Sequence, residues 1–195
     1  MADPKDNLLV QKTLKGDTES FRLLVERYQN PLLNLAYRLT GSRECAEDLA
    51  QEAFVRAYEH LERFDQKRSF FTWLYTICTN LTINELKKRK YGQCERRGSD
   101  RKADIEGLTD DHRPNGGLNE CEQRIEAKKG EDLLNDLLGR ISDEYRTAVI
   151  LRYQEELSYQ EMAQILGISV SLAKVRVHRG IEKMRKLYQK MENMA

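Results

Sequence analysis

Seven side chains that carry or can carry positive charge, Lys174, Arg176, His178, Arg179, Lys183, Arg185 and Lys186, stand within thirteen residues near the end of this 195-residue chain. Only Glu182 opposes them. A helix advances about 100° per residue, which puts Lys174, His178 and Arg179 on one outward face. Such a face suits a helix lying in a major groove, where lysine and arginine meet base edges and phosphates. A solvated basic face on an ordinary bundle helix would carry the same charges, so the charges alone do not decide.

The punctuation before them does. Ser158 followed by Glu161 is the reciprocal pattern of a capping box, and it opens a helix with Met162, Ile165 and Leu166 on one side. Gly167 can turn the chain at positive φ, Ile168 fills the angle between the two helices, and Ser169 caps the basic helix. In that helix Leu172, Val175 or Val177, Ile181 and Met184 supply apolar positions. Ser158 to Lys186 therefore reads as a helix-turn-helix module for DNA.

The whole chain is close to neutral, with 33 Lys and Arg against 32 Asp and Glu. It is not a polycation that coats nucleic acid, and affinity for DNA must come from local segregation of charge. Lys87, Lys88, Arg89, Lys90, Arg96, Arg97, Arg101 and Lys102 form a second basic block, and Asp104, Glu106, Asp110, Asp111, Glu120 and Glu122 an acidic one. No signal segment and no apolar run of bilayer length stands in the sequence, so a cytoplasmic protein without direct membrane insertion is expected. Cys45, Cys78, Cys94 and Cys121 are scattered without a CxxC pair, which in a reducing compartment means free thiols. Cys94, Cys121 and His112 have no metal-specific spacing, and neither metal nor cofactor is expected. No carboxylate cluster or positioned nucleophile suggests an enzyme.

Helical periodicity runs through the rest. A short helix is expected from Asn7 to Lys15, with Leu8, Leu9, Val10 and Leu14 as its apolar side and Gly16 as its stop. Asp17 caps a second helix carrying Phe21, Leu24, Val25, Tyr28, Leu32, Leu35, Ala36 and Leu39, interrupted at Pro31 and ended by Gly41. Ser42 opens a third, with Leu49, Ala53, Phe54, Ala57, Tyr58 and Leu61 buried and Asp48, Gln51, Glu52 and Arg56 on the other face. After Phe64 a polar loop, Asp65 to Ser69, leads to a fourth helix that begins with Phe70, Phe71, Trp73 and Tyr75 and ends in a basic run. Aromatic and cationic residues beside a loop are what a single-stranded nucleic-acid platform uses, although aromatics at helical spacing are more often core. Phe71 and Leu74 are assigned to the core; Phe70 and Trp73 stay open.

From Tyr91 to about Gln123 the apolar content falls and a Pro-Asn-Gly-Gly cluster appears, a linker. Helices resume from Ile125 to Leu138, closed by Gly139, and from a Ser142 cap to Tyr153. The expected fold is all-α: two small helical domains, residues 1–90 and 125–195, joined by a flexible linker over 91–124, with the helix-turn-helix in the second.

The stretch DLAQEAFVRAYEHLERFDQKRSFFTWLYTICTNLTINELKKRK resembles the promoter-melting domain of bacterial extracytoplasmic-function sigma factors of the sigma-70 family, and LSYQEMAQILGISVSLAKVRVHRGIEKMRK resembles their fourth domain. Together they cover nearly all of the chain outside the linker and the extreme N-terminus. The resemblance implies a subunit that binds core RNA polymerase, directs it to specific promoters and nucleates DNA melting. It implies that Asp48, Gln51 and Glu52, with Arg56 beside them, dock on the coiled coil of the largest subunit, while the second domain meets the flap of the second-largest. Phe64, Asp65, Gln66, Lys67 and Ser69 fall in the loop that captures a base extruded from the minus-ten element, at a cost of a few kcal/mol. Trp73, Asn80, Asn84, Lys87 and Lys88 would follow the strand or its upstream duplex. Lys174, Arg176, His178 and Arg179 fall where the family reads the minus-thirty-five element. Ser169 stands where proline is frequent, and Leu172-Ala173 where Thr-Val is common. The family also implies an anti-sigma partner and a linker threaded toward the polymerase cleft, where its acids would mimic nucleic acid. The alternative reading is a stand-alone helix-turn-helix transcription regulator.

Overall fold

The computed structural model describes residues 4–95 and 130–193, with side chains over 5–89 and 130–193. The linker acids, most of the basic block, and the Cys94, Cys121 and His112 side chains lie outside the described residues. Eight α-helices and one short 3-10 helix make up the described regular structure: α1 Pro4–Leu14, α2 Thr18–Thr40, α3 Arg43–Glu59, the 3-10 turn Leu61–Arg63, α4 Phe70–Glu95, α5 over 130–140, α6 Asp143–Tyr153, α7 Tyr159–Leu166 and α8 Val170–Glu192.

The expected caps set most boundaries. Asp17 accepts from the Ser20 amide at 3.3 Å and the Ser20 hydroxyl at 2.7 Å, and Ser42 accepts from the Cys45 amide at 3.4 Å. Gly41 ends α2 at φ +69°, its N–H donating to the Tyr37 carbonyl at 2.7 Å. Four expectations are corrected. Helix α2 runs unbroken through Pro31. A proline inside a helix costs about 3 kcal/mol, whereas Leu24, Leu32, Leu35, Ala36 and Leu39 are all fully or almost fully buried on one face, each leucine contributing roughly 1.5–3 kcal/mol. Burial wins. Gly139 lies inside α5, which continues to residue 140, and Ser142 precedes α6 without a side-chain cap bond. In α1, Val10 is buried but Leu8 and Leu14 are exposed.

Helices α2, α3 and α4 pack together, with α1 laid on α2, and α6 and α8 form the second group's spine. Helix α8 meets α6 at Gly180, where an added Cβ would stand 2.6 Å from Val149 Cγ2 and 3.3 Å from the Tyr145 carbonyl. That close approach fixes which side of α8 is inside: Ala173, Val177, Gly180 and Met184 are buried, whereas Leu172 and Val175 are exposed.

The two groups meet where α7 packs on α4 and α6 on α2. Glu155, just past the end of α6, pairs with Arg38 of α2 at 2.7 Å and accepts from the Tyr75 hydroxyl of α4 at 3.1 Å. Only 10% of the Glu155 side chain is exposed. Its neighbour Glu156 takes the left-handed conformation at φ +55°. Burial first, and the Glu155 charge second, hold the Tyr75 phenol well above its ordinary pKa. Arg146 of α6 donates to the Leu39 carbonyl at 3.3 Å across the same seam.

Candidate nucleic-acid and polymerase interface

Helix α8 presents its charges on a well-built base. The Ser158 hydroxyl accepts from the Glu161 amide at 3.2 Å while the Glu161 carboxylate accepts from the Ser158 amide at 2.9 Å and hydroxyl at 2.7 Å. The Ser158 hydroxyl bond is the main reason that the Glu161 carboxyl sits below its usual pKa. Gly167 turns the chain at φ +63°, and the Ser169 hydroxyl accepts from the Leu172 amide at 3.1 Å. Serine at this position is thus a side-chain cap, a role proline cannot fill. Lys174, His178 and Arg179 are exposed, as the helical spacing requires. Arg176 is not on that face. It is half-buried and pairs with Glu144 of α6 at 3.3 Å. Lys174 Nζ lies 5.7 Å from the centre of the Tyr159 ring, so the start of α7 supports the ammonium of an exposed lysine.

On α3, Asp48, Gln51, Glu52 and Arg56 are all exposed on the face opposite Leu49, Ala53, Phe54 and Ala57. Arg56 donates to Glu52 at 2.7 Å. Tyr58, expected in the buried stripe, is instead 47% exposed and edges onto the Phe21 ring at 4.9 Å.

The loop over 64–69 rises from an aromatic cluster. Phe64 is buried, with its ring 5.7 Å from Phe70 and 5.1 Å from Trp73, and Phe70 is fully buried. Of the two aromatics left open by the sequence, Phe70 is core and Trp73 is half-buried at the loop's edge. Asp65 accepts from the Lys67 amide at 3.0 Å, a local turn that leaves Lys67 exposed. Ser69 spends its hydroxyl on the Thr72 amide at 3.4 Å, capping α4. Along α4, Asn80, Asn84, Lys87 and Lys88 are exposed, and with Trp73 they fall on one stripe at spacings of seven, four, three and one.

The α3 face and this stripe share a groove of about 490 Å³, lined by Leu49, Glu52 and Arg56 on one side and Leu81, Asn84, Glu85 and Lys88 on the other. Two patches that looked separate in the sequence are the two banks of one furrow. Sequence reasoning also missed the contacts that tie α1 to the loop and α6 to α2 and α4, since a hydrogen bond between residues far apart in the chain leaves no periodic signal. Among the described residues no cluster of His, Cys, Asp or Glu could hold a metal ion, and no helix is long and apolar enough to cross a membrane.

Residues 24–91 match the family model for Sigma-70 region 2, and residues 131–184 that for Sigma-70, region 4. The chain is 38% identical over 182 residues to the ECF RNA polymerase sigma factor SigW of Bacillus subtilis (strain 168), covering 91% of this chain and 93% of that protein. It is 31% identical over 192 residues to the RNA polymerase sigma-H factor of Pseudomonas aeruginosa, covering 97% and 96%. Among solved structures, the sigma factor RpoE in complex with the anti-sigma factor NepR from Bartonella quintana has the same fold: TM-score 0.63 and 23% identity, covering 88% of this chain and 98% of that one.

Proposed function

We infer the division of labour in this molecule from one premise: the chain belongs to the extracytoplasmic-function (ECF) RNA polymerase sigma factors of the sigma-70 family. It acts as a sigma factor, directing RNA polymerase to promoters. Within that activity, residues 1–90 serve as the domain that docks on core polymerase and melts DNA, residues 91–124 as the linker, and residues 125–195 as the upstream reader. The observation that carries this is the presence of three exposed polar faces on three different supports: α3, the loop with α4, and α8.

Asp48, Gln51, Glu52 and Arg56 meet the coiled coil of the polymerase largest subunit, where an acidic and amide-bearing surface complements basic side chains. Asp65, Gln66 and Lys67 receive the extruded base of the minus-ten element. Phe64 contributes from below, as the buried floor of that loop, and Ser69 as the cap of the helix that follows. Trp73, Asn80, Asn84, Lys87 and Lys88 carry the strand away along α4. Lys174, His178 and Arg179 read or grip the minus-thirty-five duplex, and Arg176 positions α8 through Glu144. The second domain also meets the flap of the second-largest subunit, and an anti-sigma protein covers these same faces when the factor is held inactive.

Run-off transcription with purified core enzyme lacking other sigma factors tests the reading. Promoter-dependent transcripts are expected only when this chain is added. Promoter binding by the chain without any gain in initiation by core enzyme would overturn it.

A further inference from the structure

Nothing above gives a role to α1, yet two of its side chains reach the capture loop. Asn7 Nδ2 donates to the Gln66 carbonyl at 2.9 Å, across 59 residues of sequence. Gln11 Nε2 donates to Gln66 Oε1, also at 2.9 Å, across 55. Four residues apart, Asn7 and Gln11 share one helix face, so they grip Gln66 at backbone and side chain together. Helix α1 is itself firmly held. Asp6 is almost fully buried and takes hydrogen bonds from Arg27 and from the Tyr28 hydroxyl of α2, and Val10 is fully buried. The grip on the loop thus comes from a fixed support.

The sense of the second bond matters chemically. A glutamine amide has one acceptor oxygen and one nitrogen with two donors. With one lone pair of its Oε1 taken by Gln11 in a solvent-exposed contact, Gln66 has both Nε2 donors and a single acceptor site left to offer. Gln66 is only half-buried, at the tip of a loop whose neighbours Asp65 and Lys67 are exposed.

We propose that Gln11 is a positioning residue that sets the hydrogen-bonding sense of Gln66, so that the loop presents an amide donor and prefers an extruded base whose edge offers an acceptor. The inference rests on the reading of residues 64–69 as the base-capture loop. It makes α1 part of promoter specificity without touching DNA. Glutamate at position 11 has only acceptors when ionised; it draws the Gln66 amide nitrogen toward itself and turns the oxygen outward. The preference then inverts, toward bases that present an exocyclic amino group. Alanine at position 11 frees the amide to turn either way.

The test uses the full chain with core RNA polymerase on a promoter library randomised across the minus-ten element, with transcripts sequenced to rank the bases at each position. For Gln11→Glu, the ratio of bases with a carbonyl at C4 or C6 (thymine, guanine) to bases with an amino group there (adenine, cytosine) at one position is expected to shift by roughly threefold to tenfold, the worth of one net hydrogen bond. Gln11→Ala flattens the ranking at that position, and Asn7→Ala weakens the discrimination without inverting it. Thermal melting of each variant accompanies the ranking. A base ranking unchanged in Gln11→Glu, in a variant that melts like the parent and still initiates, overturns the proposal. Gln66→Ala separates the two levels: if it alters the ranking while Gln11→Glu does not, only the positioning role is lost. If neither does, the capture-loop reading falls as well.

Discussion

The loop over 64–69 and the outward face of α8, both proposed above to meet DNA, are built in opposite ways. The loop is rooted: Phe64 and Phe70 are buried beneath it, Trp73 closes one side, and α1 holds Gln66 from the other. The α8 face stands open: Lys174, His178 and Arg179 are exposed on a capped helix whose buried residues lie on its other side, with the Tyr159 ring of α7 under the Lys174 ammonium. The difference suits the two tasks proposed for them. A base taken out of its stack costs a few kcal/mol and must be met at one place by groups already held there. A duplex presents phosphates and base edges along a groove, and long flexible side chains can find them as the helix settles.

The contrast can be broken at the loop's root. Phe70→Ala removes a fully buried ring that touches Phe64, Tyr28 and Trp73, and should cost about 3–5 kcal/mol. Chemical denaturation should show the loss, and initiation should fall with it. At α8, Lys174→Ala with Arg179→Ala should weaken minus-thirty-five-dependent initiation by about 1–3 kcal/mol for each base contact removed, while stability stays within roughly 0.5 kcal/mol. Core binding, followed by co-migration with the polymerase, should be intact. The paired Gln51→Ala and Glu52→Ala variant should do the reverse, and loss of core binding by the α8 variant would erase the distinction.

Smaller effects sharpen it. Gly180→Ala forces a Cβ against the β-branched Val149 and the Tyr145 carbonyl. Overpacking costs about 1–3 kcal/mol, offset by up to about 1 kcal/mol of helix propensity, so a net loss is expected in a denaturant melt. Smallest is Ser158→Ala, about 1 kcal/mol for a lost cap. Its effect depends on pH in a defined sense. Because the Glu161 carboxyl is held below its unfolded value, its stabilisation is present above the unfolded pKa and disappears as pH falls through the folded one. The alanine variant should therefore lose less stability than the parent on acidification through that window, as read from melts at a series of pH values.

What could be read in the residues depended on the range of the interactions. The capping box of Ser158 and Glu161, the turn at Gly167 and the polar side of α3 are decided within one or two helical turns, and the structure has them where the spacing put them. Side-chain partners across helices were not legible. The buried side of α8 is chosen by its approach to α6 through Gly180, and a glycine carries no hydrophobic signal, so Leu172 looked like core and is exposed. Arg176 entered with the minus-thirty-five residues through the resemblance alone, and nothing local reveals its pairing with Glu144. Pro31 reads as a break only until the leucines on both sides of it are known to share one buried face.

The seam between the two helical groups has a consequence of its own. Glu155 surrenders most of its hydration and Arg38, still 38% exposed, only part of its own to meet there, and the desolvation of the carboxylate offsets part of the attraction. Were the groups to part, both ions would recover water. A purely apolar seam would gain nothing on opening, since every exposed square ångström would count against it. The ionic part of this joint thus stabilises the closed arrangement by less than an apolar contact of the same area would, without weakening either group's own core. Replacing Glu155 and Arg38 together with well-matched apolar residues would fasten it.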